Sequence, residues 1–263
     1  MSIRVGSMLF TLVEPHRGHE VAYHRWYERD HFYAGCMIGP WLFAGRRWVA
    51  TRPLKDLRFP ADGPIADPVD AGSYLAIYWV EAGQHDAHFA WAGKQVHWLY
   101  DHGRGFAERS HVHTGLYDYV GAVYRDSDPV PVELALDHAY AGLAAVFLQR
   151  AGGGGEADLD DWLLDEALPK HMAGTPLASC THWRPHPTEG GPTETAPMKL
   201  GSSPGGAERR LQLLFLEREP AACMDALRAY AEQVDASGLA RVLLVAPFIP
   251  TVVGTDTYTD QLW

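Results

Sequence analysis

Short apolar runs alternate with longer periodic stretches along this chain, and the same order occurs twice. Short apolar runs are typical of strands, and longer stretches with helical periodicity are typical of helices. In the first half, the predicted strands are Met8–Val13, Trp41–Thr51, Ser73–Glu81 and Leu116–Tyr124, and the predicted helices are His19–Ala34 and Asp86–Tyr100. In the second half, the strands are Tyr140–Gln149, Leu177–Trp183, Leu211–Glu217 and Leu239–Ala246, and the helices are Leu159–Met172 and Ala221–Val234. Each half therefore has the order β-α-β-β-α-β.

This order is that of the ferredoxin-like split βαβ unit. The predicted strands Trp41–Thr51 and Ser73–Glu81 are largely apolar on both faces, so each face needs a cover. Helices cover one face of such a sheet, and the sheet of the other half is the simplest cover for the second. We therefore predict an α+β fold in which two tandem ferredoxin-like repeats, residues 1–130 and 131–263, pack sheet to sheet as an intramolecular α+β barrel. The border lies at Pro129–Pro131.

Composition narrows the class of partner. The chain has 263 residues and a formal net charge of −11, which argues against nucleic acid or an anionic membrane as the main partner. Three widely spaced cysteines without a CxxC pair fit a reducing compartment. No signal peptide or long apolar span is evident. We expect a cytoplasmic protein, monomeric as a pseudo-dimer or homodimeric, whose partner is a small apolar or aromatic molecule.

One motif is present in both halves but keeps its polar residues only in the first. The first copy, at Trp26–Phe32, reads WYERDHF, and the second, at Trp162–Leu168, reads WLLDEAL. Alignment of the two tryptophans places His31 opposite Ala167. We therefore expect one working site, in the first half, and a second half that serves as its structural partner.

The tandem order, the WYERDHF segment and the following Gly39-Pro40 and Arg46-Arg47 resemble the dimeric α/β-barrel superfamily, most of all its EthD-like and antibiotic-biosynthesis-monooxygenase branch. The second half retains part of this pattern, in Trp162, Glu166, Pro169, Pro176 and Trp183. The resemblance implies a pocket between helices and sheet. It also implies one of several activities, among them cofactor-free monooxygenases, lyases, isomerases, cyclases and some haem proteins.

The first predicted helix carries the candidate chemistry. Glu20, His24, Tyr27 and His31 fall within about 40° of one another on a helix with 100° per residue, and Tyr23 and Asp30 flank this stripe. His31 is the candidate base, because imidazole titrates near neutral pH and because the helix C-terminus and Asp30 would favour its cation. Tyr27 is the candidate hydrogen-bond donor. The alternative is that these side chains are half-exposed and only bond to the backbone or to Asp30.

Other residues complete the predicted site. Arg46 or Arg47 could stabilise an anion, or could instead pair with a structural carboxylate. Ten of the 14 histidines precede residue 130, and Tyr78 and Trp91 are among the aromatic residues expected to line the pocket.

We interpret the chain as an enzyme without a cofactor that abstracts a proton from a carbonyl or phenolic compound, and the resemblance favours a monooxygenase. The alternatives are a lyase, isomerase or cyclase, or a non-catalytic ligand-binding protein. A third hypothesis is an oxygenase with a metal at Glu20, His24, His111 and His113, or with haem on His97 or His102. The glycine-rich Gly152–Gly155 and the long polar segment His186–Ala207 are predicted to be flexible loops, and a phosphate-binding role for the former is disfavoured by the missing Gly-Lys-Ser/Thr.

Overall fold

A computed structural model describes residues 2–152, 155–187, 193 and 195–263. The first half has four strands, which are β1 (Val5–Pro15), β2 (Leu42–Val49), β3 (Tyr74–Glu81) and β4 (Arg109–Tyr124). Its helices are α1 (Glu20–Trp26), which continues as a first π-helix (Tyr27–Met37), the short α2 (Arg52–Lys55) and α3 (His85–Asp101).

The second half repeats this order after a short 3-10 turn at Val132–Leu134. Its strands are β5 (Gly142–Arg150), β6 (Leu177–Pro185), β7 (Arg209–Leu216) and β8 (Ala240–Pro250). Its helices are α4 (Glu156–Asp161), a second π-helix (Trp162–Ala167), α5 (Leu168–Met172) and α6 (Pro220–Ala236). No helix in these described ranges is long and apolar enough to cross a membrane. The loop prediction at Gly152–Gly155 and His186–Ala207 falls partly outside the described residues.

The eight strands form one closed antiparallel barrel in the order β1-β3-β2-β8-β5-β7-β6-β4. The two sheets meet along two seams. One seam is long and joins β4 to β6, from the Tyr117–Pro185 pair to the Tyr124–Ser179 pair. The other is short and joins β2 to β8 through two residue pairs. The α+β barrel predicted from the sequence is therefore confirmed, with the two sheets facing each other across a shared interior and hydrogen-bonded at their edges.

Apolar side chains lie on both faces of β3, which explains why the two sheets close into a barrel. Leu75, Ile77 and Trp79 point into the barrel, where large aromatic side chains fill the interior. Tyr74 and Tyr78, on the opposite face, are buried under the helices. Both faces of this strand are thus covered, as its apolar composition indicates.

In the second half, the corresponding space lies under α6, which packs on β5 and β8, and under the second π-helix, which contacts β4. That space is packed by aliphatic side chains, among them Val146, Leu148, Val245, Leu163 and Ala167. Beside them lies a buried charge network centred on Asp160. Its carboxylate accepts hydrogen bonds from Nε2 of His182 (2.8 Å), Nε of Arg210 (2.5 Å) and Nε of Arg184 (2.8 Å). Burial alone would raise the pKa of Asp160, but the bonds from His182 and Arg210 hold it well below its usual value.

We predict that Asp160→Ala lowers the free energy of unfolding by about 3–5 kcal/mol, because it leaves the guanidinium of Arg210 buried without its carboxylate. Chemical denaturation at neutral pH measures this change. The control is Asp161→Ala, at the next position of the same helix, where the side chain is exposed and should change the free energy by less than about 0.5 kcal/mol. The stabilisation by Asp160 should also fade as the pH drops below about 4, where an unfolded aspartate takes up a proton. Equal effects of the two substitutions would contradict this assignment.

Candidate functional site

A pocket with a cavity volume of about 130 Å³ lies in the first half between α3, the first π-helix and the outer face of β1 and β4. Its walls are mostly apolar and include Leu9, Phe89, Val96, Leu116 and Met198. Met198 comes from the second half, from residues 195–202 between β6 and β7. Backbone contacts hold this segment where it leaves the pocket, because the amide of Ser202 donates to the carbonyl of Val112 at 2.9 Å. Both halves therefore build the pocket.

His31 lies in the pocket wall and is held by ring contacts. Its imidazole stacks on the indole of Trp26 with ring centroids 4.6 Å apart, and it meets the ring of Tyr27 edge-on at 5.1 Å. Among the residues that the structure describes, none hydrogen-bonds to either ring nitrogen. Trp26 is itself fixed, since its Nε1 donates to the carbonyl oxygen of Arg104 at 2.9 Å.

The position of the His31 ring depends on a glycine one turn later. A Cβ atom at Gly35 would lie 2.9 Å from two atoms of this imidazole. Tyr27, His31 and Gly35 follow each other at intervals of four residues in the first π-helix, and all three line the pocket. π-Helical segments are rare and often occur at functional sites. Gly35 thus provides the space in which the ring lies flat against the helix.

Burial makes His31 a neutral imidazole. Burial, together with the nearby Arg109 and His111, lowers the pKa of His31 to about 3. Asp30 raises this pKa, but its effect is smaller than that of burial, Arg109 and His111, and its carboxylate is bound by Arg104, with Nε of the arginine at 3.2 Å from Oδ2. The sequence-based expectation of a more basic imidazole is therefore wrong, because burial lowers the pKa of His31 by more than Asp30 raises it.

Opposite the apolar wall lies a cluster of two threonines and a histidine. Nε of Arg109 donates to Nε2 of His111 at 3.3 Å, so the proton of that ring is on Nδ1. Nδ1 then donates to Oγ1 of Thr114 at 2.8 Å, and the two hydroxyls of Thr11 and Thr114 share one hydrogen bond of 2.8 Å. That bond uses one of the two hydroxyl hydrogens. The other has no acceptor in the described part of the chain, so the cluster can donate one hydrogen bond to a ligand.

Arg109 brings the positive charge to the site. Its Nη2 donates to the hydroxyl of Tyr100 at 2.9 Å, its Nη1 donates to the carbonyl oxygen of Phe106, and its guanidinium lies 4.6 Å from the ring centre of Trp26. No salt bridge to a carboxylate is formed by this arginine within the described ranges. Arg109 also lines a second, adjoining cleft, which shares His111, Met198 and Leu200 with the pocket. The cation therefore stands where the pocket opens into this cleft.

Of the ten site residues predicted from the sequence, the structure brings His31 and Tyr27 to the pocket wall. The hydroxyl of Tyr27 is hydrogen-bonded at 2.9 Å to that of Tyr78, which lies behind it. Tyr23 is buried against the rings of Trp26 and Tyr74. Trp91 lies against His88, outside the pocket wall.

The first part of the predicted stripe is covered by the C-terminal segment of the chain. Nε2 of His24 donates to the carbonyl oxygen of Thr255 at 2.8 Å, and Nε1 of Trp263 donates to Oε1 of Glu20 at 2.6 Å. Each of these contacts joins residues more than 200 positions apart, so no local sequence pattern predicts it. Glu20 and His24 are therefore occupied by the chain itself and do not contribute to the wall of the pocket.

The two candidate arginines have other positions. Arg46 points towards the inter-half connection, where its Nη1 donates to the carbonyl oxygens of Leu136, at 3.0 Å, and of His138. Arg47 is buried between the rings of Tyr27 and Tyr74, with its Nη1 3.3 Å from Nδ1 of His24.

When the two halves are aligned on Trp26 with Trp162 and on Trp48 with Trp183, the contact between Arg47 and His24 corresponds to a contact in the second half. His182 takes the place of Arg47, Asp160 takes that of His24, and these two also touch. Each contact links the first helix of its half to the following strand. The shared position indicates a structural role for both contacts.

His111 and His113 are separated by a bulge. In the pairing of β1 with β4, Leu12 faces His113 but Val13 faces His111, so the two histidines lie on opposite sides of the sheet. His111 joins the pocket, while His113 lies inside the barrel and bonds to the hydroxyl of Tyr117 at 2.6 Å. The predicted metal site that needed both rings on one face is therefore not assembled. Thr11, Thr114 and Arg109 were not predicted as site residues either. The alternation of polar residues before Leu116 was the only signal in the sequence that pointed to this part of the site.

No protein-family model matches this chain, and no curated protein matches it. Among solved structures, a haem-bound variant of DypB from Rhodococcus jostii RHA1 is 10% identical with a TM-score of 0.55, covering 100% of this chain and 97% of that one. An anthrone oxidase-like protein is 8% identical with a TM-score of 0.52, covering 96% and 95%. The encapsulated DyP-type peroxidase from Mycobacterium smegmatis is 12% identical with a TM-score of 0.52, covering 100% and 95%. At this identity the likenesses show the fold alone, an α+β barrel built from two ferredoxin-like units.

We predict that His31 stays neutral at pH values at which ordinary histidines carry a proton. In a pH titration followed by nuclear magnetic resonance, the ring nitrogens of His31 should keep the shifts of neutral imidazole down to about pH 4. The folded protein should also lose stability as the pH falls below about 6.5, because the unfolded chain binds protons there that folded His31 does not. A midpoint near 6.5 for the His31 signals would contradict this description of the pocket.

Proposed function

We propose that the pocket binds a small, largely apolar aromatic or polyketide-like compound with a phenol or carbonyl group, and that His31 accepts a proton from it. The observation that carries this proposal is the free imidazole, a half-buried ring without a hydrogen-bond partner among the described residues, in an otherwise apolar wall. A ring that served only packing would gain stability from an apolar side chain at this position, since unpaired polar groups are costly to bury.

Proton transfer in this pocket would create an ion pair in place of a lone charge. Burial disfavours an isolated imidazolium, but a phenolate or enolate formed beside it supplies the opposite charge at short range. The cation of Arg109 favours the anionic form of the substrate, and the hydroxyl cluster of Thr11 and Thr114 can donate to its oxygen. We therefore assign anion stabilisation to Arg109 in place of Arg46 or Arg47, because only Arg109 lines the pocket. Tyr27 would support the His31 ring by its edge contact.

For the step after deprotonation, we propose reaction with dioxygen without a cofactor. An anthrone illustrates the balance, because its methylene group loses two hydrogens and gains one oxygen atom to give the quinone, and the second oxygen atom leaves as water. No other reductant is needed. The motif resemblance to EthD-like monooxygenases supports this choice, and the anthrone oxidase-like protein with the same fold makes an anthrone a reasonable first probe.

A second candidate function is ligand binding without catalysis. The observation that favours it is the pKa of about 3 for His31, because a general base works best when its pKa lies near the working pH. In that case the imidazole would only hold a hydrogen bond to a phenol. The two functions predict the same occupied pocket and differ in turnover.

We predict that His31→Ala lowers the turnover of an anthrone or a related polycyclic phenol by about 10²–10⁴-fold, the range typical of a lost general base. Its stability should fall by only about 1 kcal/mol, because His31 contributes a ring stack and no hydrogen bond. Product formation is followed by absorbance, with and without dioxygen, and the melting temperature is measured on the same samples.

The matched control is His171→Ala in the second half. His171 is also half-buried, but its Nε2 donates to the carbonyl oxygen of Ala226 at 2.7 Å, so its loss should cost stability and leave turnover unchanged. Wild-type binding without turnover would favour the ligand-binding function. Turnover that persists in His31→Ala, or a haem absorption band in the active wild-type protein, would contradict a cofactor-free reaction based on His31.

A further inference from the structure

Two histidines from different halves are stacked at the place where α3 begins and β6 ends. The rings of His85 and His186 have centroids 3.7 Å apart and planes at 27°. His85 is the first residue of α3, and His186 follows the last residue of β6. Together with Asp86, they offer one ligand atom each, and these three atoms lie within 4.8 Å of one another.

The hydrogen bonds around this cluster leave nitrogen lone pairs free. Nδ1 of His186 lies 2.8 and 2.9 Å from the two carboxylate oxygens of Asp118, so this nitrogen donates and Nε2 keeps its lone pair. Nδ1 of His85 is buried and has no hydrogen-bond partner among the described residues. Burial and the neighbouring His186 lower the pKa of His85 to about 4, so its ring is uncharged at neutral pH.

We propose that His85, Asp86 and His186 form a binding site for a divalent transition metal such as Zn²⁺. Two imidazole nitrogens and one carboxylate oxygen are a common ligand set for zinc, and water can take the fourth position. Asp118 acts as a positioning residue, since a carboxylate that holds the second nitrogen of a metal-bound histidine orients the ring and raises its basicity.

The distances and charges are compatible with this site. Zinc–ligand bonds of about 2 Å place tetrahedral ligand atoms about 3.3 Å apart. The three ligand atoms, which lie within 4.8 Å of one another, therefore have to move closer, and the two stacked rings have to turn apart, for an ion to bind. The start of α3 carries a partial positive charge, which disfavours a cation, but the carboxylates of Asp86 and Asp118 offset it. A bound ion would join the first half to the chain that leaves β6. This proposal stands on residues separate from those of the proposed enzymatic site.

The test is isothermal titration calorimetry of the metal-stripped, full-length protein with zinc chloride. We expect one Zn²⁺ per chain, with at least about tenfold weaker binding in His85→Ala and in His186→Ala. Asp118→Asn should weaken binding by about 10- to 100-fold. His102→Ala removes an exposed imidazole just beyond the other end of α3 and should leave binding unchanged. Circular dichroism checks that each variant is folded, and His85→Ala, which removes no hydrogen bond of the described chain, suffices if His186→Ala does not fold.

Titration with Co²⁺ provides an independent readout, because a tetrahedral site with nitrogen ligands should give visible absorption bands that the two histidine variants lack. Absence of stoichiometric binding by the wild-type protein would overturn the proposal. So would equal binding by the wild type and His85→Ala, or an equal loss in His102→Ala. None of these outcomes depends on turnover, so they leave the proposed enzymatic function to its own test.

Discussion

The burial of both faces of the sheet is the constraint on which the rest of the structure depends. Strands such as β3 place Leu75 and Trp79 on one face and Tyr74 and Tyr78 on the other, so neither face can be left to water. The two sheets satisfy this constraint by closing into one barrel with a filled interior. A ligand is therefore excluded from the inside of the barrel and must bind on its outer face, under the helices. The pocket beside His31 lies in this layer.

The two halves use the same scaffold differently. In the first half, the space between the π-helix and the outer face of the sheet is left open and lined by imidazoles, hydroxyls and Arg109. In the second half, the corresponding space is closed by Leu163 and Ala167, with the charge network of Asp160 beside them. The substitution of His31 by Ala167 in the repeated motif thus accompanies a pocket that is filled by side chains. One half provides the open pocket, and the other provides packing and a segment that covers it.

The sequence was sufficient to predict the elements and their closure, because both follow from the periodicity of apolar residues. It also placed Tyr27 and His31 among the candidate site residues, and both line the pocket. It could not separate them from Glu20 and His24 on the same stripe, because the segment around Thr255 and Trp263 that covers the latter two is more than 200 residues away. The basicity of His31 was misjudged because burial of its ring, which no local pattern shows, lowers the pKa by more than the neighbouring Asp30 raises it. The bulge that separates His111 from His113 and the use of Arg109 depend on the pairing of β1 with β4, which no local pattern encodes.

The central claim is that the open, ligand-accessible layer lies in the first half only. Titration of methyl-labelled protein with a polycyclic phenol, followed by nuclear magnetic resonance, tests this claim most directly. The account predicts that the signals of Leu9, Leu116 and Met198 shift together with a single affinity, while those of Leu163 and Leu227 stay in place. Shifts centred on Leu163 and Leu227, or shifts of residues inside the barrel such as Leu75 and Leu213, would contradict it.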